Sequence, residues 1–423
     1  MNINGNVLLA SLILVITFSN RAYAQDKKEK SSKKKDSTTT EQKIEILAQE
    51  IEVLKAEKGT FAEITSEKGK YGLGPAASKV YSQGEKTVSI GGYGEMIYNN
   101  FATNKDDGTK ADTDNIDFKR AIIYFGYKYS DWMVLNTEIE MEHVDEIYLE
   151  FAYVDFLLSN HFNIRAGLIL IPMGIYGEYH EPTTYASTNR PLTETYIMPS
   201  TWRENGIGIF GSFGQLSYKA YLVNGFKGDN FGGPNGLRKG RQKGKEAEVV
   251  NFSGVFNLTY DITSAIQVGT SAYYGQAETG TPLGTRANTF ITEAHIIAKH
   301  KGFSFNALYS YANIADAGKV SLITTEAVGT DMDGFYLELS YDVFRFLNGS
   351  QQFLIFGRYE NVDTQRTMPA GFASNGESKR RIISTGFAYK PTIQTVAKLT
   401  YEWHHNSANT GQDRLSMVLG YIF

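Results

Sequence analysis

The chain has 423 residues and a formal charge of −4, with 27 Tyr, 25 Phe and 41 Gly but only 9 Pro and no Cys. The missing Cys excludes a disulfide framework, thiolate metal sites, a Cys nucleophile and a lipidated N-terminal Cys, and the near-neutral charge argues against a nucleic-acid partner. Abundant Tyr, Phe and Gly with little Pro favour a chain made mostly of strands.

The apolar run from Val7 to Phe18 precedes the small-x-small site Ala22-Tyr23-Ala24, which predicts a secretory signal peptide over 1–24, although Met1 to Asn6 holds no Lys or Arg. The mature chain is then expected to begin at Gln25. Nothing later reaches 18 consecutive apolar residues, so no transmembrane helix is expected. Residues 25–40 are polar and charged and read as a disordered tail. Over 41–58, Ile44, Leu47, Ile51 and Leu54 fall at a/d spacing. They predict a short amphipathic helix, either a coiled coil between protomers or a helix lying on its own protein. Residues 59–86, with Gly59 and Gly72-Leu73-Gly74-Pro75, read as a linker.

From Thr87 to Phe423 the hydrophobic period is two. Phe335, Leu337, Leu339 and Tyr341 alternate with Tyr336, Glu338, Ser340 and Asp342, and Leu415, Met417, Leu419, Tyr421 and Phe423 alternate with Arg414, Ser416, Val418, Gly420 and Ile422. One face is wet and the other is not. Sixteen such segments occur, joined by alternating short turns and long loops. That predicts an all-β, sixteen-stranded antiparallel transmembrane barrel over 87–423, in the outer membrane with both termini periplasmic. Alternation alone also suits a soluble sandwich or propeller. The aromatic-rich apolar face, the charges opposite it and the terminal Phe423 decide for the barrel.

Gly206-Ile207-Gly208-Ile209-Phe210-Gly211 matches the dinucleotide-binding spacing, but it continues a strand and opens no helix. His404-His405 and His143 with Asp145 lack a ligand set, and no nucleophile elbow or Ser-x-x-Lys occurs. No catalytic residue, metal or cofactor is therefore expected, and the chain does not read as an enzyme. The third long loop, 172–202, carries Pro172, Pro182, Pro191 and Pro199 among polar aromatics. Folded inward it would constrict the lumen, with Tyr179, His180, Glu181, Arg190, Trp202 and Arg203 as its candidate residues. An outward lid or a protomer contact is the alternative.

Strand parity places Arg120, Lys128, Arg165 and Lys219 on the pore lining, with Arg358, Arg380 and Lys398. It also places Glu95, Glu138, Glu140, Glu142 and Glu150 there, and the acidic stripe of the third strand would repel anions. The fourth long loop concentrates Arg238, Lys239, Arg241, Lys243 and Lys245 among glycines that would keep it flexible. It is read either as an anion-attracting funnel or as a solvated loop touching lipopolysaccharide phosphates.

The motifs Tyr71-Gly-Leu-Gly-Pro-Ala-Ala-Ser-Lys-Val-Tyr81, Ser89-Ile-Gly-Gly-Tyr-Gly-Glu95, Ile164-Arg-Ala-Gly-Leu-Ile-Leu-Ile-Pro-Met-Gly174, His180-Glu-Pro-Thr-Thr-Tyr185 and Pro199-Ser-Thr-Trp-Arg-Glu204 resemble the phosphate-selective porin O and P family of outer-membrane channels. The resemblance spans about residues 71–423. It implies a trimeric sixteen-stranded porin whose lumen Arg and Lys favour anions. The function expected is passive diffusion of small hydrophilic solutes, phosphate among them. A weakly selective general porin and an adhesive barrel acting through its loops are the alternatives.

Overall fold

Residues of alternating chemistry sort to opposite faces of one closed sheet in the computed structural model. It describes residues 64, 69–249, 251–279, 287–347 and 349–423. The expected signal peptide, tail and helix over 1–58 lie outside the described residues.

The strands are β1 (Thr87–Phe101), β2 (Asn115–Ser130), β3 (Met133–Glu142), β4 (Glu146–Phe156), β5 (Asn163–Leu170), β6 (Arg203–Phe213), β7 (Leu216–Asn224) and β8 (Phe252–Thr263). They continue as β9 (Ile266–Ala277), β10 (Ala287–His300), β11 (Phe303–Ile314), β12 (Asp331–Asp342), β13 (Gln352–Thr367), β14 (Lys379–Thr392), β15 (Thr395–Asn406) and β16 (Arg414–Ile422). Each pairs antiparallel with its sequence neighbours, and β1 closes on β16 from Tyr93 opposite Ile422 to Phe101 opposite Arg414. Closure leaves no unpaired edge. Leu337, Leu339, Leu419, Tyr421, Ile123 and Phe125 stand exposed on the outside, while Tyr336, Glu338, Val418 and Tyr124 are buried inside. Such an apolar outer face is what a hydrocarbon surround requires.

Short turns gather mostly at one end of the barrel and long loops at the other; on the short-turn side the β12–β13 connection is an exception, running over 343–351. The β3–β4 connection lies on the long-loop side yet is a tight turn at 143–145, where His143 and Val144 take positive φ. The Gly206–Gly211 run lies wholly within β6, and a Cβ at Gly208 would stand 2.1 Å from the Tyr221 ring of β7. Its glycine there serves side-chain packing across the wall.

Residues 59–86 suggest a linker from composition, but their described part is packed. Leu73, Ala76, Ala77, Val80 and Tyr81 are buried against the inner wall of β1–β4. Burying each large apolar side chain contributes roughly 1.5–3 kcal/mol, which a free linker would forgo. The polar groups are matched as well: Asn136 Nδ2 donates to Ala77 O at 2.9 Å, and Tyr81 Oη donates to Asp155 Oδ2 at 2.6 Å.

Candidate functional site: the barrel interior

Charged side chains on the inner face gather into clusters, three of them built on an arginine. Arg120 donates to Glu95 through Nε at 3.1 Å and Nη2 at 3.0 Å, Lys119 Nζ reaches the same carboxylate at 3.1 Å, and Arg120 Nη1 lies 3.8 Å from Glu140. Arg165 grips Asp155 at 2.8 and 2.9 Å and stands 3.9 Å above the Tyr153 ring. Arg358 lies 3.3 Å from Glu338 and 3.6 Å from Glu402, and Arg414 pairs with Glu402.

The charged residues read from parity as pore lining are mostly covered. Arg120, Arg165, Arg358 and Lys398 are at most 3% exposed, as are Glu95, Glu138, Glu140 and Glu150. They do not face open water, because the 69–86 segment and the third loop lie over them. Lys128 sits at the short-turn end, with Nζ donating to Gln83 O at 3.1 Å and paired with Asp131. Lys219 Nζ donates to Tyr71 O at 2.9 Å and contacts Glu178. Arg380 donates to Pro234 O at 2.7 Å, and Glu142 is half-buried near the rim. The acidic stripe is not a bare ring of charge, since Arg120 and Arg203 stand beside Glu140 and Glu150.

The third loop leaves the wall after β5, carries helix α1 (Leu192–Tyr196) and bonds to strands on the far side. Arg358 Nη1 donates to Ser187 Oγ at 2.8 Å and Lys398 Nζ to Ser187 O at 2.9 Å. Thr188 N donates to Thr400 Oγ1 at 3.0 Å and Thr193 N to Glu360 Oε1 at 2.6 Å. Tyr336 Oη donates to Glu194, whose other oxygen accepts from Tyr176 N at 2.8 Å. Burial pushes the Glu194 carboxyl up to about 7.

Glu181 accepts from Ala76 N at 3.1 Å and Ala77 N at 2.8 Å, joining loop to segment. Burial likewise raises Glu181 to about 7, against those two amides. A Cβ on Gly74 would lie 2.4 Å from that carboxylate, so glycine permits the approach. His180 is buried, with Nδ1 on Gly177 O at 3.2 Å and Nε2 facing Glu138 at 3.9 Å. Burial pushes its pKa down to about 4, so at neutral pH the imidazole is uncharged and does not form an ion pair with Glu138.

Of the other loop candidates, Trp202 stacks on Phe226 with centroids 4.4 Å apart and donates to Glu204 at 3.1 Å. Arg203 begins β6 and lies 4.0 Å from Glu150. Arg190 is half-buried, and its Nη1 meets no hydrogen-bond partner among the described residues.

The glycine-rich fourth loop is packed rather than loose. Phe226, Phe231 and Leu237 are buried, Leu237 N donates to Tyr196 O at 3.0 Å, and Thr364 Oγ1 donates to Gly233 O at 2.6 Å. Arg238 Nη1 donates to Ser200 O and Arg241 to Pro199 O and Thr201 O. Burial, then the neighbouring Arg238 and Arg203 charges, lower the Arg241 pKa, yet guanidinium stays protonated at neutral pH. Both arginines are thus staples to the third loop, while Lys239, Lys243 and Lys245 remain exposed.

Two cavities flank the third loop. One of about 620 Å³ opens at the short-turn end and includes Glu178, Tyr179, Lys219, Asn257, His295 and Lys299. The other, about 370 Å³, lies among Tyr196, Asn235, Arg238, Lys239, Arg241 and Lys243 on the long-loop side.

Several participants escape sequence parity. Lys119 reaches Glu95 because a register shift between Glu95 and Ile97 breaks the alternation of β2. Glu178 meets Lys219, and Glu194 meets Tyr336, only through loop packing, which no local pattern encodes.

A protein of Aquifex aeolicus (strain VF5), described as an uncharacterized protein, is 37% identical over 351 residues, covering 78% of each chain. The chain belongs to that protein's family. No family model matches it. Among solved structures, this member of the Aquifex protein's family superposes on an anion-selective porin from Comamonas acidovorans with a TM-score of 0.55 at 12% identity, covering 80% of this chain and 100% of that one. The outer membrane channel DcaP of Acinetobacter baumannii gives 0.54 at 11% identity, covering 80% and 98%. OmpF of Salmonella typhi in complex with daunomycin gives 0.53 at 12% identity, covering 80% and 98%. At these identities the likeness is one of fold: the sixteen-stranded porin barrel.

Proposed function

We propose that the protein is an outer-membrane porin, a passive channel for small hydrophilic solutes, with the third loop as its constriction. The observation that carries this is the loop's attachment, through Ser187, Thr188 and Thr193, to wall strands β13 and β15 opposite its origin. A sixteen-stranded barrel is otherwise wide enough for an aqueous pore. With lumen-crossing segments narrowing it, conductance should be small. Both termini then lie on the periplasmic side, with the short turns.

Small anions, phosphate among them, are the favoured solutes in this reading. Its support is the exposed Lys239, Lys243 and Lys245 at the long-loop mouth, together with inner carboxylates largely neutralised by Arg and Lys. The same lysines suit contact with lipopolysaccharide phosphates. The homotrimer rests on the motif resemblance and on the general habit of closed symmetric assembly.

Planar-bilayer recording tests the channel directly. Small uniform steps are expected, with a reversal potential in a salt gradient displaced toward the anion. Replacing 177–196 by a short Gly-Ser bridge should enlarge the steps. A folded barrel that gives no steps with or without the loop would overturn the reading.

A further inference from the structure

Three side chains far apart in sequence converge in a buried spot between wall and loop. Glu138 of β3, Glu150 of β4 and His180 of the third loop each present a ligand atom, and these atoms lie within 4.8 Å of one another. A common centre therefore lies within about 2.8 Å of all three, a small adjustment from zinc–nitrogen and zinc–carboxylate bonds of about 2.0–2.2 Å. Exposure is 0% for both glutamates and 2% for the histidine.

The unsatisfied atoms point to a ligand. Both oxygens of Glu138 and Nε2 of His180 meet no hydrogen-bond partner among the described residues, and Glu150 has the Glu140 carboxyl and the Thr201 side chain beside it. Native interiors rarely leave so many polar atoms bare. His180 also has the posture of a metal-binding histidine: Nδ1 is held by Gly177 O at 3.2 Å, which orients Nε2 toward the carboxylates. Arg203 at 4.0 Å from Glu150 and Arg120 at 3.8 Å from Glu140 offset part of the negative charge without entering hydrogen-bond range of the three ligands.

We propose that Glu138, Glu150 and His180 bind one divalent transition-metal ion, with zinc the fitting choice for two carboxylates and an imidazole. The ion fastens the third loop to the β3–β4 wall. This site is distinct from the solute path and independent of whether the barrel conducts.

The test uses the full chain purified in detergent, stripped with a chelator and equilibrated with Zn²⁺ alone. Elemental analysis should find one zinc per chain, and Co²⁺ in its place should give a visible absorption band of low-symmetry coordination. Glu138→Gln and His180→Gln should each weaken zinc binding at least tenfold and abolish the cobalt band. Retained heat-modifiable mobility would show that both variants fold. His405→Gln, at the exposed His405–Asp106 pair, should change nothing. The proposal is overturned by absent stoichiometric zinc, by equal affinity in either site variant, or by loss in His405→Gln. A barrel that conducts normally yet binds no zinc overturns this site alone and leaves the channel reading intact.

Discussion

The two halves of the interior are built on different principles. Against β1–β6 and β12–β16, the 69–86 segment and the third loop cover buried ion pairs of the wall, Arg165–Asp155 and Arg358–Glu338, and bond to them through Tyr81 and Ser187. Against β8–β10, toward the short-turn end, the wall borders the larger cavity with Asn257, Thr259, Gln267, Ile297 and the exposed Lys299. Charge buried without water must be paired, so it acts as mortar between wall and plug. In the channel reading proposed above, the sparser, more open half is where solutes would have room to pass. Counting lumen charges therefore says little about selectivity until one knows which of them are covered.

The sharpest way to break this contrast is to unpair the mortar. Arg165→Met should destabilise the barrel by about 3–5 kcal/mol, since it strands Asp155 as a buried charge. Lys299→Met, at an exposed position of the open half, should stay within about 0.5 kcal/mol. Urea unfolding in detergent would measure both, and equal losses would erase the distinction.

Acidity probes the plug itself. Burial lifts Glu194 to about 7 from an ordinary 4.5, so the folded state holds its proton more tightly than the unfolded chain. Stability is then complete below about pH 4.5 and declines as pH rises to about 7, by roughly 3 kcal/mol in all. Glu194→Gln should flatten this part of the profile and leave the protein more stable than the parent at pH 8. An unchanged slope between pH 5 and 8 would remove Glu194 as its cause.

Bulk in the open half should be felt by current rather than by stability. Ile297→Trp should cut single-channel conductance by about half, because pore dimensions govern flux. Ser384→Ala, in the packed half, should leave conductance unchanged. The smallest effect belongs to the mouth: replacing Lys239, Lys243 and Lys245 by Gln should lower anion preference at 0.1 M salt. It should vanish near 1 M, where the Debye length falls to about 3 Å. Adding Arg238→Gln or Arg241→Gln would unpin the third loop and confound that reading.

The barrel was legible because a period of two runs through most of each strand, and because Leu337, Leu419 and their like fix which face turns outward. The interior was less legible. Parity tells which way Arg120 or Glu138 points, but not that a loop from beyond β5 covers it. Composition suggests that five glycines loosen the fourth loop, whereas Phe226, Phe231 and Leu237 bury themselves and the glycines admit close backbone contacts. Tyr81 looked like an ornament of a linker only because its partners, Asp155 and Arg165, come from β4 and β5. A bulge moved Lys119 to the inner face, and bulges leave no mark in the alternation itself. The Glu138–Glu150–His180 convergence has no short-range spacing to betray it.

The 69–86 segment precedes β1 in the chain, and the seam that shuts the cylinder is β1 against β16, finished by mutual backbone bonds between Gly92 and Phe423 at 3.0 and 2.9 Å. A segment that precedes the barrel in the chain is thus enclosed beside the seam made by its last strand. Once the seam is zipped, the segment is held like a cork driven in from within: Tyr81 is tethered to Asp155 on one side, and Ala76 and Ala77 are tethered to Glu181 on the other. The enclosure predicts an order of assembly, the segment seated before the seam closes, which amide protection of Ala76 and Ala77 appearing after that of the seam during refolding would contradict.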